Sequence, residues 1–327
     1  MSDQTYSRAG SVAQAAALSV DPGAVILAGG TTLLDLIKCD VARPATLVDI
    51  THLSGLDEAK QTPDGVTIGA LMKMSHAAEA PAIRAAYPAI SQSLLLAASA
   101  QLRNMATIGG NVLQKTRCAY FRDPEAYPAC NKRNPGSGCS ALDNVTRNEA
   151  VLGTSDACIA VYPGDLAVAL AAFDAVVKTD HRDIPVADFF LLPGETPERE
   201  TVLEAGEIIT GIFVPASPAA KNSTYLKVRE RASYEFAAAS AAVGLAFEDD
   251  GRTIRDIHVA IGGVATRPWR CTAVEEALRG QIFDEQAVRE ASRLAVEGAV
   301  ARGANAYKID LAPRVVARAI LQLGGRT

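Results

Sequence analysis

The apolar positions of this chain fall into short runs, set apart by glycine, proline and polar clusters, and their period changes along it. Val12 to Leu18 has helical spacing. Ala24 to Leu27 is a continuous apolar run that reads as a buried strand, and Thr31 to Lys38 reads as a helix with Thr31 as N-cap. Thr46 to Ile50 and Val66 to Ala70 are further strands, so strand, glycine turn, helix and strand follow one another as in a small α/β unit. Ser75 to Ala100 is largely helical, interrupted near Pro88, and Asp165 to Ala172 is an apolar helix. Val176 to Lys178, Ile184 to Val186 and Ile208 to Val214 read as strands, and Pro215 to Ala220 as a linker. Three strands follow, Thr224 to Arg229, Ala239 to Phe247 and Ile254 to Ile261. Three helices come next: Thr272 to Leu278, Glu285 to Glu297 and Pro313 to Leu323. Strands followed by helices predict an α+β C-terminal domain.

The periodicity lapses between Arg117 and about Leu152, a polar stretch with Pro124, Pro128, Pro135, Gly136 and Gly138. A stretch of that length inside a compact domain is functional or disordered, and the cysteines in it favour function. Six cysteines occur in the chain; Cys118, Cys130, Cys139 and Cys158 fall within 41 residues, spaced C-x11-C-x8-C-x18-C. A chain of 327 residues does not need disulfides for stability, and four clustered thiols in a cytosolic protein point to metal. The gaps are too wide for paired zinc knuckles and miss the C-x2-C-x2-C run of ferredoxins, so spacing alone leaves iron–sulfur, zinc and ordinary thiols open. Lys115, Arg117, Arg122, Lys132 and Arg133 surround the cluster in sequence, and Cys158 reads as lying on a strand edge. Cys39 and Cys271, at the ends of helices, read as small buried hydrophobes.

Composition narrows the function classes. The length predicts two domains. A net charge of −5 argues against nucleic acid as the main partner. No run of 18 apolar residues occurs, the longest being Phe236 to Phe247, so no membrane span is expected. The segment Met1-Ser-Asp-Gln-Thr5 has no basic region leading into an apolar run. The default location is therefore cytoplasmic, or periplasmic if a partner subunit carries the export signal. No H-E-x-x-H or G-x-S-x-G occurs, so an enzyme of this sequence works through a bound cofactor.

Two paired-glycine loops offer a place for one. Ala28-Gly29-Gly30-Thr31-Thr32-Leu33-Leu34-Asp35 joins a strand to a helix, where glycine allows close backbone approach and free N–H groups favour a pyrophosphate. It is neither a Walker loop nor G-x-G-x-x-G. Thr107-Ile108-Gly109-Gly110-Asn111 is a second such loop, and the two together point to a phosphate-rich cofactor. In Tyr225-Leu226-Lys227-Val228-Arg229-Glu230-Arg231, strand alternation puts Tyr225, Lys227 and Arg229 on one face; two cations there suit an anion such as reduced flavin, or a solvated strand face.

In order and spacing these three segments resemble the FAD-binding medium subunit of the molybdenum hydroxylases, over essentially the whole chain. The insertion with Arg117-Cys-Ala-Tyr-Phe-Arg-Asp123 and Cys130-Asn-Lys-Arg-Asn-Pro-Gly-Ser-Gly-Cys139 resembles the bacterial periplasmic-type aldehyde oxidoreductase branch. The resemblance implies a two-subdomain FAD module of the vanillyl-alcohol-oxidase type over residues 1–218. Its subdomains divide near residue 56, and the iron–sulfur insertion occupies about 115–158. A C-terminal α+β domain of the CO dehydrogenase flavoprotein type follows over 219–327. It implies that Leu27, Ala28, Gly29, Gly30, Thr31, Thr32, Leu33 and Leu34 cradle the pyrophosphate, and that Thr107, Gly110 and Asn111 also contact FAD. Asp165 would lie near the ribityl chain and Lys227 near the isoalloxazine, tuning the reduced flavin. Cys118, Cys130, Cys139 and Cys158 would hold a [4Fe-4S] cluster. The implied partners are a large molybdenum-cofactor subunit, which oxidises aldehydes to carboxylic acids, a small [2Fe-2S] subunit and an external electron acceptor. Rival readings are another molybdenum hydroxylase chemistry on the same architecture, a zinc-binding scaffold and a stand-alone flavin oxidase.

Overall fold

A computed structural model describes residues 4–325, which form three α/β units in chain order, each on its own sheet. The first holds β1 (Thr5–Arg8), β2 (Ala24–Leu27) and β3 (Thr46–Asp49), all parallel, in the order β1-β3-β2. The second holds β4 (Ala59–Thr62), β5 (Gly65–Gly69), β6 (Val176–Thr179), β7 (Asp183–Pro185) and β8 (Ile209–Pro215), antiparallel in the order β4-β5-β8-β6-β7. The third holds β9 (Ser223–Val228), β10 (Ala239–Phe247), β11 (Ile254–Gly262) and β12 (Trp269–Arg270), antiparallel in the order β12-β11-β10-β9.

Parallel neighbours need crossovers. In the first unit these are the helices Val12–Ser19 and Leu33–Lys38. The second unit is closed by Met74–Glu79, Pro81–Ala86 and Pro88–Leu96, together with Asp165–Ala172. Pro81 as well as Pro88 starts a new helix, because each lacks an N–H and clashes with the preceding turn. In the third unit the amphipathic helix Tyr307–Leu323 packs across β10. It starts six residues before the predicted Pro313, which it carries inside. Glu285–Ser292 ends short of the predicted Glu297 and tightens into a 3-10 turn over Arg293–Val296. The expected linker holds the short helix Pro218–Lys221.

Three strands lack a legible pattern: β1 and β4 are mostly exposed edge strands, and β12 has two residues. β2 is half-buried rather than buried, because Val25 and Ile26 wall a cleft. Among the described residues no helix is long and apolar enough to cross a membrane.

Candidate functional site

The first paired-glycine loop packs on the turn that leads into the second. A Cβ at Gly29 would lie 2.2 Å from the Met105 carbonyl oxygen, so the two loops can come together only with glycine there. Gly30 has φ +73°, a left-handed turn that delays the helix to Leu33, with Thr32 and not Thr31 as N-cap. Neither threonine caps through its side chain, and both face the cleft. Thr107 does cap: its hydroxyl accepts from the Gly110 N–H at 3.3 Å.

The cleft between the first two units, closed at one end by the third, has two lobes that meet at Thr31, Thr32 and Gly110. One, of about 280 Å³, is walled by Val25, Ile26, Ile50, Leu203, Ile208 and Ile209 beside the loops. The other, of about 310 Å³, is more polar; Asn111, Gln114, Arg117, Asp165, Arg231 and Tyr234 line it, with Phe236 and several small apolar residues. Ala28 to Leu33, Thr107, Gly110, Asn111 and Asp165 therefore all reach the cleft. Leu27 and Leu34 instead pack about Gly30, with Leu34 45% exposed. The Oδ1 of Asn111 is buried without a protein partner. Such an orphaned acceptor, with two glycine loops brought together and a cleft with an apolar and a more polar end, fits an extended dinucleotide such as FAD.

Lys227 stands one layer back. Its ammonium donates to Asp165 at 2.8 Å and to the Leu96 carbonyl at 3.1 Å, and the two side chains are 1% and 5% exposed. The Tyr225 hydroxyl donates to the other Asp165 oxygen at 2.7 Å. The shared face of Tyr225, Lys227 and Arg229 is thus a buried anchor for Asp165, not a solvated strand face. Burial pushes the Asp165 carboxyl up, against the pull of Lys227 and Tyr225.

The four clustered cysteines converge. Cys118, Cys130, Cys139 and Cys158 line one small cavity with Tyr120, Phe121 and Lys132, and none forms a disulfide. A bridge pairs Cys130 with Cys139, closed by Asn131 N–H to the Gly138 carbonyl at 2.7 Å; Gly136 and Gly138 supply its left-handed turns. Cys158 lies in an irregular segment, not on a strand edge, and its sulfur accepts from the Ala160 N–H. Burial raises the Cys118 and Cys139 thiols and pushes Cys158 up to about 11, so as free thiols these are neutral. Among the described residues no three His, Cys, Asp or Glu side chains are gathered for a single metal ion. Cys39 and Cys271 are helix caps outside this cavity.

Side chains hold the insertion in place. Arg133 donates to the carbonyls of Tyr120, Phe121, Tyr127 and Pro128. Arg117 and Arg122 both donate to Asp35, on the helix that follows the first glycine loop. Lys115 and Lys132 share Glu200. From the third unit, buried Lys308 donates to Asn148 and Gly263 carbonyls at 2.9 and 2.7 Å. Of the five cations near the cysteines, Lys132 alone lines the cavity. Sequence reasoning missed the roles of Arg133, Asp35, Glu200 and Lys308, whose partners are mostly distant in the chain.

Comparison with known proteins agrees with this geometry. The family described as the FAD binding domain in molybdopterin dehydrogenase matches residues 2–217, and the CO dehydrogenase flavoprotein C-terminal domain matches 224–323. The chain is 42% identical, over 97% of both chains, to the aldehyde oxidoreductase FAD-binding subunit PaoB of Escherichia coli. It is 28% identical to the glyceraldehyde dehydrogenase medium chain of Sulfolobus acidocaldarius, over 81% of this chain and 76% of the relative. In structure it is similar to the carbon monoxide dehydrogenase of Hydrogenophaga pseudoflava, with a TM-score of 0.75 and 25% identity over 99% of this chain and 98% of that one. The chain therefore belongs to the family of FAD-binding medium subunits of the molybdenum hydroxylases.

Proposed function

We propose that this chain is the FAD- and [4Fe-4S]-carrying electron-transfer subunit of a heterotrimeric, molybdenum-dependent aldehyde oxidoreductase. It would take electrons from a [2Fe-2S] subunit and pass them to an external acceptor, while aldehyde oxidation occurs on a large molybdenum-cofactor subunit. The observation that carries the reading is the two-lobed cleft joined across the two glycine loops. The aldehyde assignment is supported by the names of the relatives from Escherichia coli and Sulfolobus acidocaldarius. Its compartment would follow that of its partners.

Bound FAD would supply a carrier that accepts electrons singly and releases them singly or in pairs. The chain's own residues bind and orient it. Backbone N–H groups of the two loops, with Thr31 and Thr32, would hold the pyrophosphate. The apolar lobe would keep water from the part of the cofactor that it holds. At the polar lobe the Asp165 carboxylate, held by Lys227 and Tyr225, would face the ribityl and flavin end.

Cys118, Cys130, Cys139 and Cys158 would hold the iron–sulfur cluster. Four thiols on one cavity match its ligand set. The assigned function is tested by adding aldehydes, carbon monoxide or N-heterocycles to the purified complex and following flavin absorbance. Bleaching by aldehydes supports the reading; bleaching only by another substrate class overturns the aldehyde assignment and leaves the flavoprotein family standing.

A further inference from the structure

The flavin lobe takes a cation from the cysteine insertion. Arg117, one residue before Cys118, lines that lobe, as does Asp165. Its guanidinium donates to Asp35 at 2.9 Å and stands 5.2 Å from the centroid of the Phe236 ring, which lines the same lobe. Asp35 also receives Arg122, whose side chain is only 12% exposed. One carboxylate thus faces two guanidiniums, and the group carries a surplus positive charge, with Arg117 as its member on the cleft. The other cation that lines the lobe is paired, as is the lysine behind it. Arg231 is paired with Glu235 at 3.2 Å, and Lys227 with Asp165 behind the wall.

We propose that Arg117 is a flavin-tuning residue, a cation that the cysteine insertion delivers to the flavin lobe to favour the negative charge gained on reduction. This rests on the flavin lying at the Asp165 end of the cleft. Two electrons, supplied by the iron–sulfur partner subunit, and one proton leave the reduced flavin with one more negative charge than the oxidised form. A cation beside that charge stabilises the reduced state, and more so where water is partly excluded. Asp35 and the Phe236 ring hold the guanidinium in place beforehand, so little reorganisation accompanies reduction.

The test is the flavin midpoint potential of the purified complex, titrated spectroelectrochemically, with FAD and iron measured alongside. In R117M reduction is expected to become about tenfold less favourable, about 30 mV more negative for a two-electron couple. R117K should recover most of the shift. R289M, which removes an exposed cation paired with Glu285 on the third unit, should leave the potential unmoved. An unchanged potential in R117M with full FAD overturns the proposal, as does an equal shift in R289M. Should R117M lose FAD, D35N carries the test: removing the carboxylate raises the surplus charge, so the potential should become less negative, and no shift or a more negative value overturns the proposal. If D165N leaves both the flavin spectrum and its potential unchanged, it is the placement of the flavin that fails.

Discussion

The FAD cleft and the cysteine cavity lie side by side in one chain and are built in opposite ways. The cleft is made by backbone: two glycine loops brought together, set on the ends of regular elements. The cysteine cavity is made by side chains reaching for carbonyls across an irregular loop, with Arg133 on four of them and Lys308 tying its far end to the third unit. The loops of the first fail when an atom is added, while its polar end depends on the buried Lys227–Asp165 pair. A site of the second kind fails when a side chain is removed.

The largest expected effect lies beneath the cleft. Lys227→Met leaves Asp165 buried without its counter-charge, and breaking a buried pair costs about 3–5 kcal/mol. A clear fall in melting temperature with loss of FAD is expected, and Asp165→Asn combined with it should recover part of the stability. A Lys227→Met protein as stable as wild type would mean that the pair is not the anchor described here. Next is Arg133→Met. Hydrogen bonds from a charged group contribute about 1.5–3 kcal/mol each, and the insertion should loosen. Iron content is expected to fall by more than half while FAD stays near one per chain; parallel loss of both would erase the contrast between the sites.

Gly29→Ala is the converse. Its methyl meets the Met105 carbonyl oxygen, and overpacking of this kind costs about 1–3 kcal/mol. FAD affinity should drop at least about tenfold, the equivalent of 1.4 kcal/mol, with iron retained; unchanged flavin titration curves would contradict it. The smallest effect concerns acid. Glu207, on the apolar lobe, is held down at about 2 against a usual 4.5, first by hydrogen bonds from Arg182. A lowered folded pKa gives stability that is fully present above about pH 4.5 and is lost as pH falls toward 2. Glu207→Gln should flatten the acid limb of the stability profile in that window, and an unaltered limb would show that Glu207 is not responsible.

The same contrast explains what was legible in the sequence. The cleft's loops are local motifs, and Gly29, Gly30, Thr107, Gly110 and Asn111 declare themselves within a few residues of one another. β10, buried on both faces, matches its apolar run from Ala239 to Phe247. The edge strands β1 and β4 do not, since exposure removes the pattern that would mark them. Cysteine spacing marks the insertion but not its clamps: Asp35 meets Arg122 across 87 positions, and Lys308 meets Asn148 across 160. The place of Lys227 behind Asp165, 62 positions away, is likewise set only when the fold brings the side chains of β9 to the first residue of the helix Asp165–Ala172. The first six residues of helix Tyr307–Leu323 are not legible, because Pro313 looks like a first-turn residue.

The central claim is that one chain carries both a flavin and an iron–sulfur cluster. Its most direct test is the FAD, iron and acid-labile sulfide content of the anaerobically purified complex, with the contribution of a [2Fe-2S] subunit subtracted by comparing wild type with Cys130→Ser. One FAD per chain, and about four iron and four sulfide lost in the variant while FAD remains, is the predicted result. Equal iron in both proteins, or zinc in place of iron, would contradict it.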